Sequence, residues 1–459
     1  MDKFRKFIEE ELQNDDMTPE AFEKFEQDLR TRTMALERKA VADKLGKYDI
    51  DASAIVIDGT VFRRMMRQSQ TYMTAAGEVV VERTLYKDRT DEQSRCVSPM
   101  ELRAGVINGI WSRSAAKMAV WVVAQMTPRK GEELFRRVGT MTPSKSSIGR
   151  LAAHLSESWE QERETLERAL REAIEIPQGT MSIAVSLDGV FVPMDKTGWA
   201  QDTHGTAASE TGSGRGPSGY REVGCGTVAF CNAHGELLSA IRMARAPEPN
   251  KALLKQMLSE TVRAVIRRRP ELQVVKLADG AADNWTFLDS ECLPAGVQVL
   301  DNFHANEHLS EALSSVYGVG TTKTKLQFEQ WRGTLRCDKR GASKVIQELK
   351  RLSKEHPNNL TVARELGYFQ KHKKRMNYAS VAEQGLMIGS GVVEAACKTL
   401  VTQRLKQSGM RWSKDGAQSI LTPRGWDQSE KFDAAWALLA ATFESKVTVY
   451  RKLTLVKTS

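Results

Sequence analysis

Short apolar runs that end in an acid recur between residues 183 and 301. Each run carries β-branched residues and stops at a turn residue, which is typical of a buried strand. The three runs are Ile183–Leu187 before Asp188, Leu272–Ala278 before Asp279, and Val297–Leu300 before Asp301. Because a single Asp-Gly pair is also a common turn signal, the recurrence carries the prediction. It predicts strands that deliver carboxylates to the edge of a sheet.

The pattern around these runs predicts a mixed α/β sheet. Strand-like runs at Val223–Phe230 and Leu237–Met243 precede a helical pattern at Lys251–Arg268, and strands and helices alternate afterwards. From Asn306 to about Ala382 the pattern is helical, which is too long for a connection between a strand and a helix. This stretch is therefore predicted to be an inserted all-α domain. A further helix, Glu394–Gln407, returns to the core.

The N-terminal third alternates between helical and strand-like patterns. Residues 3–46 predict two helices, with Thr18 as the cap and Pro19 at the first position of the second helix. Residues 54–87 predict a hairpin that turns at Gly77, and the sequence assigns this module no function. Residues 113–157 predict three helices, of which two begin at Thr-Pro pairs.

The helices within 113–157 are typical of a helix-turn-helix, although plain helical bundles share that geometry. In the DNA-binding interpretation the last helix presents Lys145, Ser146, Ser147 and Arg150 to DNA. The predicted domains are N-terminal helices at 1–50 (a candidate dimer interface), a β-rich module at 51–95, a helical domain at 96–176, an α/β core at 177–305 and 387–445, the α-helical insertion at 306–386 and a C-terminal tail at 446–459.

Composition narrows the class of protein. A hydrophobic fraction of 41% and a charged fraction of 27% are ordinary for a soluble globular protein. No apolar run approaches the ~18 residues of a membrane span, and no signal peptide is recognised, so we expect a cytoplasmic, nucleoid-associated protein. The six Cys residues form no CxxC pair, which favours reduced thiols over a zinc ribbon or a disulfide framework.

Positive charge is concentrated in the second half of the chain. The net charge is +9, and residues 321–352 contain nine basic and three acidic residues, whereas residues 1–46 contain nine basic and twelve acidic ones. This distribution favours a polyanionic partner.

The acids predict a metal site. Mg²⁺ prefers oxygen ligands, and two such ions about 4 Å apart can promote attack at a phosphodiester. We expect Asp188, Asp279 and Glu394 to converge through the fold and to hold two Mg²⁺ or Mn²⁺ ions. Their carboxylates should then lie within ~4–8 Å of one another.

Four segments together resemble a known family. They are strand-Asp188-Gly, strand-Asp279-Gly, Asp301-Asn-Phe-His304 and Gly-Ser-Gly-Val-Val-Glu394, the last continuing through Arg404, Lys406, Arg411 and Trp412. They resemble bacterial insertion-sequence transposases of the DDE class, nearest to the ISKra-type family and similar to Mutator-like transposases. The resemblance covers roughly residues 95–445, and segment 389–413 is its most specific part.

The resemblance implies a ribonuclease-H-like catalytic core that is interrupted by the α-helical insertion. It implies Mg²⁺-dependent cleavage at transposon terminal inverted repeats and transfer of the freed 3′-hydroxyl to target DNA. Asp188, Asp279 and Glu394 would be the catalytic metal ligands. His304 would contact the scissile strand or brace an acid, and a core histidine is the alternative. Because two DNA ends must meet, a homodimer or higher oligomer is expected.

Residues after Glu394 predict a DNA-contacting surface. Lys398, Arg404, Lys406 and Arg411 would hold phosphates, with Arg404 about 80° round the helix from Glu394. Trp412 could stack on an unpaired base, with burial in the core as the alternative. Two other functions stay open: an inactive or domesticated DNA-binding regulator, and a metal-dependent nuclease without strand transfer.

Overall fold

The computed structural model describes residues 2–91, 93–139, 141–195 and 219–450. It divides into two compact units, residues 1–159 with 436–459, and residues 160–435. The elements of the N-terminal part are α1 (Asp2–Leu12), α2 (Pro19–Gly46), β1 (Ala54–Ile57), β2 (Thr60–Thr74), β3 (Gly77–Lys87), α3 (Pro99–Ala104), α4 (Arg113–Gln125), α5 (Pro128–Val138), α6 (Lys145–Gln161) and α7 (Arg163–Glu172).

The remaining elements form the sheet, the helical insertion and the C-terminal helices. They are β4 (Ser182–Pro193), β5 (Tyr220–Cys231), β6 (Leu237–Arg245), α8 (Ala252–Arg268), β7 (Gln273–Ala278), α9 (Ala282–Leu288), β8 (Val297–Leu300), α10 (Asn302–Tyr317), α11 (Thr322–Cys337), α12 (Gly341–Glu355), α13 (Leu360–His372), α14 (Tyr378–Glu383), α15 (Gly391–Ala396), α16 (Gln403–Leu405), α17 (Lys414–Gln428), α18 (Phe432–Ala441) and β9 (Val447–Val449).

The first unit contains a four-stranded antiparallel sheet in the order β3-β2-β1-β9. The predicted hairpin turn is confirmed, since Thr74 pairs with Gly77. The predicted start of α2 is also confirmed, because the Thr18 side chain accepts a hydrogen bond from the backbone N–H of Ala21. The segment predicted as a C-terminal tail contributes β9, which pairs with β1, and its residues 451–459 lie outside the described part.

The second unit contains a five-stranded mixed sheet in the order β6-β5-β4-β7-β8. Strand β5 runs antiparallel to both β4 and β6, whereas β7 and β8 extend the sheet parallel to β4. Helix α8 makes the crossover from β6 to β7, as a parallel connection requires. The predicted mixed α/β sheet is therefore confirmed.

Helices α10 to α14 follow the last strand of this sheet. Their buried faces and the sheet belong to one continuous hydrophobic cluster, which includes Val185 and Leu277 of the sheet and Leu309, Leu349 and Phe369 of the helices. The stretch predicted as an all-α insertion is helical, although its first helix begins at Asn302, directly after β8. Asp301 is thus both the end of a strand and the cap of a helix.

Candidate metal-dependent active site

Three aspartates lie close together on three adjacent parallel strands: Asp279 and Asp301 directly follow β7 and β8, and Asp188 lies within β4, just past its pairing with β7. Beside β5, β4 continues past Asp188 to Pro193. Ser186 of β4 pairs with Leu277 of β7. Asp188 and Asp279, each two residues further along its chain segment, therefore lie side by side. In the same way Ala278 of β7 pairs with Leu300 of β8, which places Asp279 beside Asp301. The fold therefore brings together, at one sheet edge, acids that lie far apart in the sequence.

Asp188 is half-buried at this edge. Its Oδ1 accepts a hydrogen bond from the backbone N–H of Gly189 at 2.7 Å, and its Oδ2 accepts one from the Cys397 thiol at 3.5 Å. Burial raises the pKa of the Asp188 carboxyl, and the charge of Asp279 adds to the rise, against opposing effects of Gly189, Cys397 and His304. A neighbouring cation would favour the ionised form of such a carboxyl.

Residues at the start of α9 donate hydrogen bonds to Asp279. Its Oδ1 accepts hydrogen bonds from the backbone N–H of Ala281 at 3.1 Å and from Nδ2 of Asn284 at 3.0 Å. The indole N–H of Trp285 donates to the backbone oxygen of Asp279 at 2.5 Å. Because both the backbone and the side chain are fixed, this carboxylate has a defined orientation at the sheet edge.

Asp301 is fully buried and links two segments. Its Oδ2 accepts the backbone N–H of His304 at 3.0 Å, which caps α10, and its Oδ1 accepts the backbone N–H of Ser390 at 2.7 Å. The hydroxyl of Ser390 in turn donates to Oε1 of Glu394 at 2.5 Å. Through Ser390, the Asp301 carboxylate fixes the approach of Glu394 to the site.

His304 and Glu394 complete the cluster. Among the described residues, Asp301, His304 and Glu394 form a group whose possible ligand atoms all lie within 4.8 Å of one another. Nδ1 of His304 also lies 2.9 Å from Oε2 of Glu307. Burial by itself lowers the pKa of His304, but the charges of Asp301, Glu307 and Asp279 outweigh it and raise the pKa above its ordinary value.

The arrangement differs in one respect from the predicted trio. Glu394 forms this group with Asp301 and His304, and neither Asp188 nor Asp279 belongs to it. Asp188 is nevertheless linked to the helical segment of Glu394, because Cys397, three residues further on, donates to its carboxylate. Sequence reasoning did not single out Ser390 or Cys397, and placed Asp301 only beside the site.

The basic residues after Glu394 do not all share one surface. Lys398, Lys406 and Arg411 are exposed. Arg404, in contrast, is buried, with 1% of its side-chain surface accessible, so its assignment to a phosphate-binding surface was wrong. A π-helical turn at Cys397–Thr402 lies between Glu394 and Arg404, so the two side chains do not keep the angle that an uninterrupted α-helix would give them. Burial, followed by the nearby Arg424, lowers the pKa of Arg404 to about 10.

Trp412 is half-buried and contacts other residues of the second unit. Its indole N–H donates to the backbone oxygen of Leu405 at 3.0 Å, and the Arg404 guanidinium lies 5.2 Å from the ring centroid. Its backbone pairs with Pro193 and Asp195 at the end of β4. These contacts give Trp412 a packing role, and stacking on an unpaired base remains a prediction.

The predicted helix-turn-helix residues lie in the other unit. Helices α4, α5 and α6 form where the sequence predicts them, and the Thr127 side chain caps α5 by accepting from the N–H of Lys130. Lys145 and Arg150 are exposed on α6. Contact between this helix and DNA stays a prediction.

None of the helices in the described residues is both long and apolar enough to cross a membrane.

Comparisons with known proteins add little to this geometry. No protein-family model matches the chain, and no curated protein matches it. Among solved structures, the chain is similar to the Drosophila P element transposase strand transfer complex, with 12% sequence identity over 76% of this chain and 85% of that chain. The TM-score of 0.27 is too low to assign a fold or a function, and we draw neither from this similarity.

Proposed function

We propose that the chain is a DDE-class transposase, which cuts DNA at the ends of a mobile element and joins the freed ends to a target. The observation that carries this proposal is the convergence of Asp188, Asp279 and Asp301 on adjacent strands, with Glu394 linked to Asp301 through Ser390. Four carboxylates at one edge create a strongly negative site, which is the donor chemistry that Mg²⁺ or Mn²⁺ prefers.

The donor set fits divalent cations. Asp188, Asp279 and Glu394 would hold two ions, with His304 beside them, whereas Asp301 is fully buried and its two carboxylate oxygens accept the backbone N–H groups of His304 and Ser390. When bound, the ions supply activation of the attacking oxygen and stabilisation of the leaving oxygen at a phosphodiester. In this arrangement Asp301 is a positioning residue, since it fixes the N-terminus of α10 and the loop that precedes Glu394.

We further propose that residues 177–305 and 387–445 form a ribonuclease-H-like core. Three antiparallel strands followed by two strands parallel to the first support this proposal, as does the position of the helical insertion between Asp301 and Glu394. The nearest family would be the ISKra-type group, with similarity to Mutator-like transposases. On this account the DNA partners are terminal inverted repeats and target DNA, and a homodimer is the smallest assembly that can bring two ends together.

The proposed DNA contacts fall into two sets. In the catalytic unit, the exposed Lys398, Lys406 and Arg411 follow Glu394 closely and are available to phosphates. In the other unit, Lys145 and Arg150 on α6 would contact the element ends as a helix-turn-helix does.

The test is a cleavage and joining assay with labelled DNA that carries the sequences flanking the chain's own gene. Wild type with Mg²⁺ or Mn²⁺ should cut these ends and join them to a target, and Asp188→Asn and Asp279→Asn should each abolish both steps. Asp283→Asn is the matched control, because this acid on α9 is exposed and paired with Lys255.

The other outcomes separate the alternatives. Cleavage without joining would indicate a metal-dependent nuclease. Specific binding of the ends without cleavage, in wild type as in the variants, would indicate a DNA-binding regulator and would refute the proposed activity.

A further inference from the structure

A run of five basic residues, Lys371 to Arg375, ends α13 and continues as a 3₁₀ turn; we call it the basic turn. Lys371, Lys373 and Lys374 are exposed, whereas His372 is buried. Within the part of the chain that the structure describes, none of the three lysines has an acidic partner. The basic turn therefore presents three positive charges to solvent.

Arg375, the last residue of the basic turn, connects it to the five-stranded sheet. Its Nη2 pairs with Asp289 at 2.8 Å, its Nε donates to Gln298 of β8 at 2.9 Å, and its guanidinium lies 3.9 Å from the ring centroid of Trp285. Trp285 is the residue whose indole N–H holds the backbone of Asp279. The basic turn is thus anchored to the elements that position one of the proposed metal ligands.

Helix α13 passes close to the acidic edge before it reaches the basic turn. The ring of Tyr368 packs directly against Gly280, the residue after Asp279. Lys371 follows Tyr368 by three residues, about one turn of the same helix. Burial, then the charges of Lys371 and Arg375, lower the pKa of His372 to about 4, in keeping with the positive field along this segment.

We propose that the basic turn binds the phosphates of a DNA strand and guides that strand to the acidic edge. DNA as the occupant rests on the proposed function, because a polyanion that must reach four carboxylates needs positive charge close by to offset their repulsion. Lysines that neutralise backbone phosphates release counterions, so their contribution depends on salt but not on base sequence.

The experiment measures DNA binding without metal, which separates it from catalysis. Fluorescence anisotropy of a labelled duplex is followed in EDTA over a range of salt concentrations, for wild type and for a triple variant, Lys371→Gln, Lys373→Gln and Lys374→Gln. The matched control changes three other exposed lysines of the insertion, Lys325→Gln, Lys350→Gln and Lys354→Gln, and removes the same charge. Circular dichroism checks that both variants are folded.

The triple variant should bind about tenfold more weakly, with a salt dependence shallower by about two to three counterions, and the control should stay within about twofold of wild type. Equal weakening of both variants, or no effect of either, would overturn the inference and leave the proposed function standing. A wild type that binds no DNA under these conditions would overturn both.

Discussion

The packing of Tyr368 against Gly280 predicts that one added methyl group disturbs the proposed metal site. A Cβ at position 280 would overlap Cε2 of Tyr368 and lie 2.9 Å from its Oη and 3.0 Å from its Cζ. The ring cannot swing away freely, because it stacks on His308 at 3.6 Å and contacts His372 at 4.9 Å between ring centroids. Gly280→Ala must therefore shift the backbone beside Asp279.

The expected cost follows from the size of this clash. Overpacking of a filled interior destabilises a protein by about 1–3 kcal/mol, and a shift of the groups that orient a metal ligand lowers metal affinity by about 10- to 100-fold. In a Tyr368→Ala background the methyl group has room, so the extra cost of Gly280→Ala should fall below about 0.5 kcal/mol. Gly391→Ala is the control, since no atom lies within 4 Å of a Cβ at that position.

The assay combines urea denaturation of wild type and the three variants of this cycle with Mn²⁺ titration followed by electron paramagnetic resonance. An undiminished cost of Gly280→Ala in the Tyr368→Ala background would show that this contact is not the cause. Unchanged Mn²⁺ affinity in Gly280→Ala, at a clear loss of stability, would contradict the assignment of Asp279 as a ligand.

Two further predictions concern buried charges away from the metal ligands. Glu365, whose side chain is fully buried, accepts hydrogen bonds from Nδ1 of His308 and from Nε of Arg364, so Glu365→Gln should lower the free energy of unfolding in urea by about 2 kcal/mol; an unchanged value would contradict this role. Burial, followed by the charge of Arg268, lowers the pKa of the Lys431 ammonium group to about 8 in the folded state. The folded protein therefore loses this proton at a lower pH than the unfolded chain does. The free energy of unfolding should rise between about pH 8 and the ordinary lysine pKa near 10.4. Lys431→Met should remove that rise and raise stability at pH 7 by about 1–2 kcal/mol, and a pH profile unchanged by the substitution would contradict the effect.

The strands of the second unit were predictable because their local signals are strong. The apolar run before Asp279 predicted the end of β7 to within one residue, whereas β4 continues five residues past Asp188, to Pro193, because it stays paired with β5 there. The alignment of these ends depends on which strands pair and in which direction, which is a property of the whole sheet. It was expected from the required chemistry and from the resemblance, not from the local pattern.

The environment of Glu394 was less accessible from the sequence. A helix was predicted there, but a π-helical turn has no side-chain periodicity that distinguishes it from an α-helix, so Arg404 was placed on the wrong face. Ser390 and Cys397 act through single hydrogen bonds, and an isolated Ser or Cys gives no pattern. The small β9 strand was missed for a similar reason, since three residues that pair with distant β1 carry no strand signal of their own.

The most direct test of the central claim is an anomalous difference map from crystals soaked in Mn²⁺. We expect two peaks beside Asp188 of β4 and the carboxyl end of β7, contacted by Asp188, Asp279 and Glu394, and their loss in crystals of Asp188→Asn. A single peak held only by Asp301, His304 and Glu394 would contradict the proposed ligand set. An absence of any peak at this edge, with Mn²⁺ bound elsewhere or not at all, would contradict the metal centre itself.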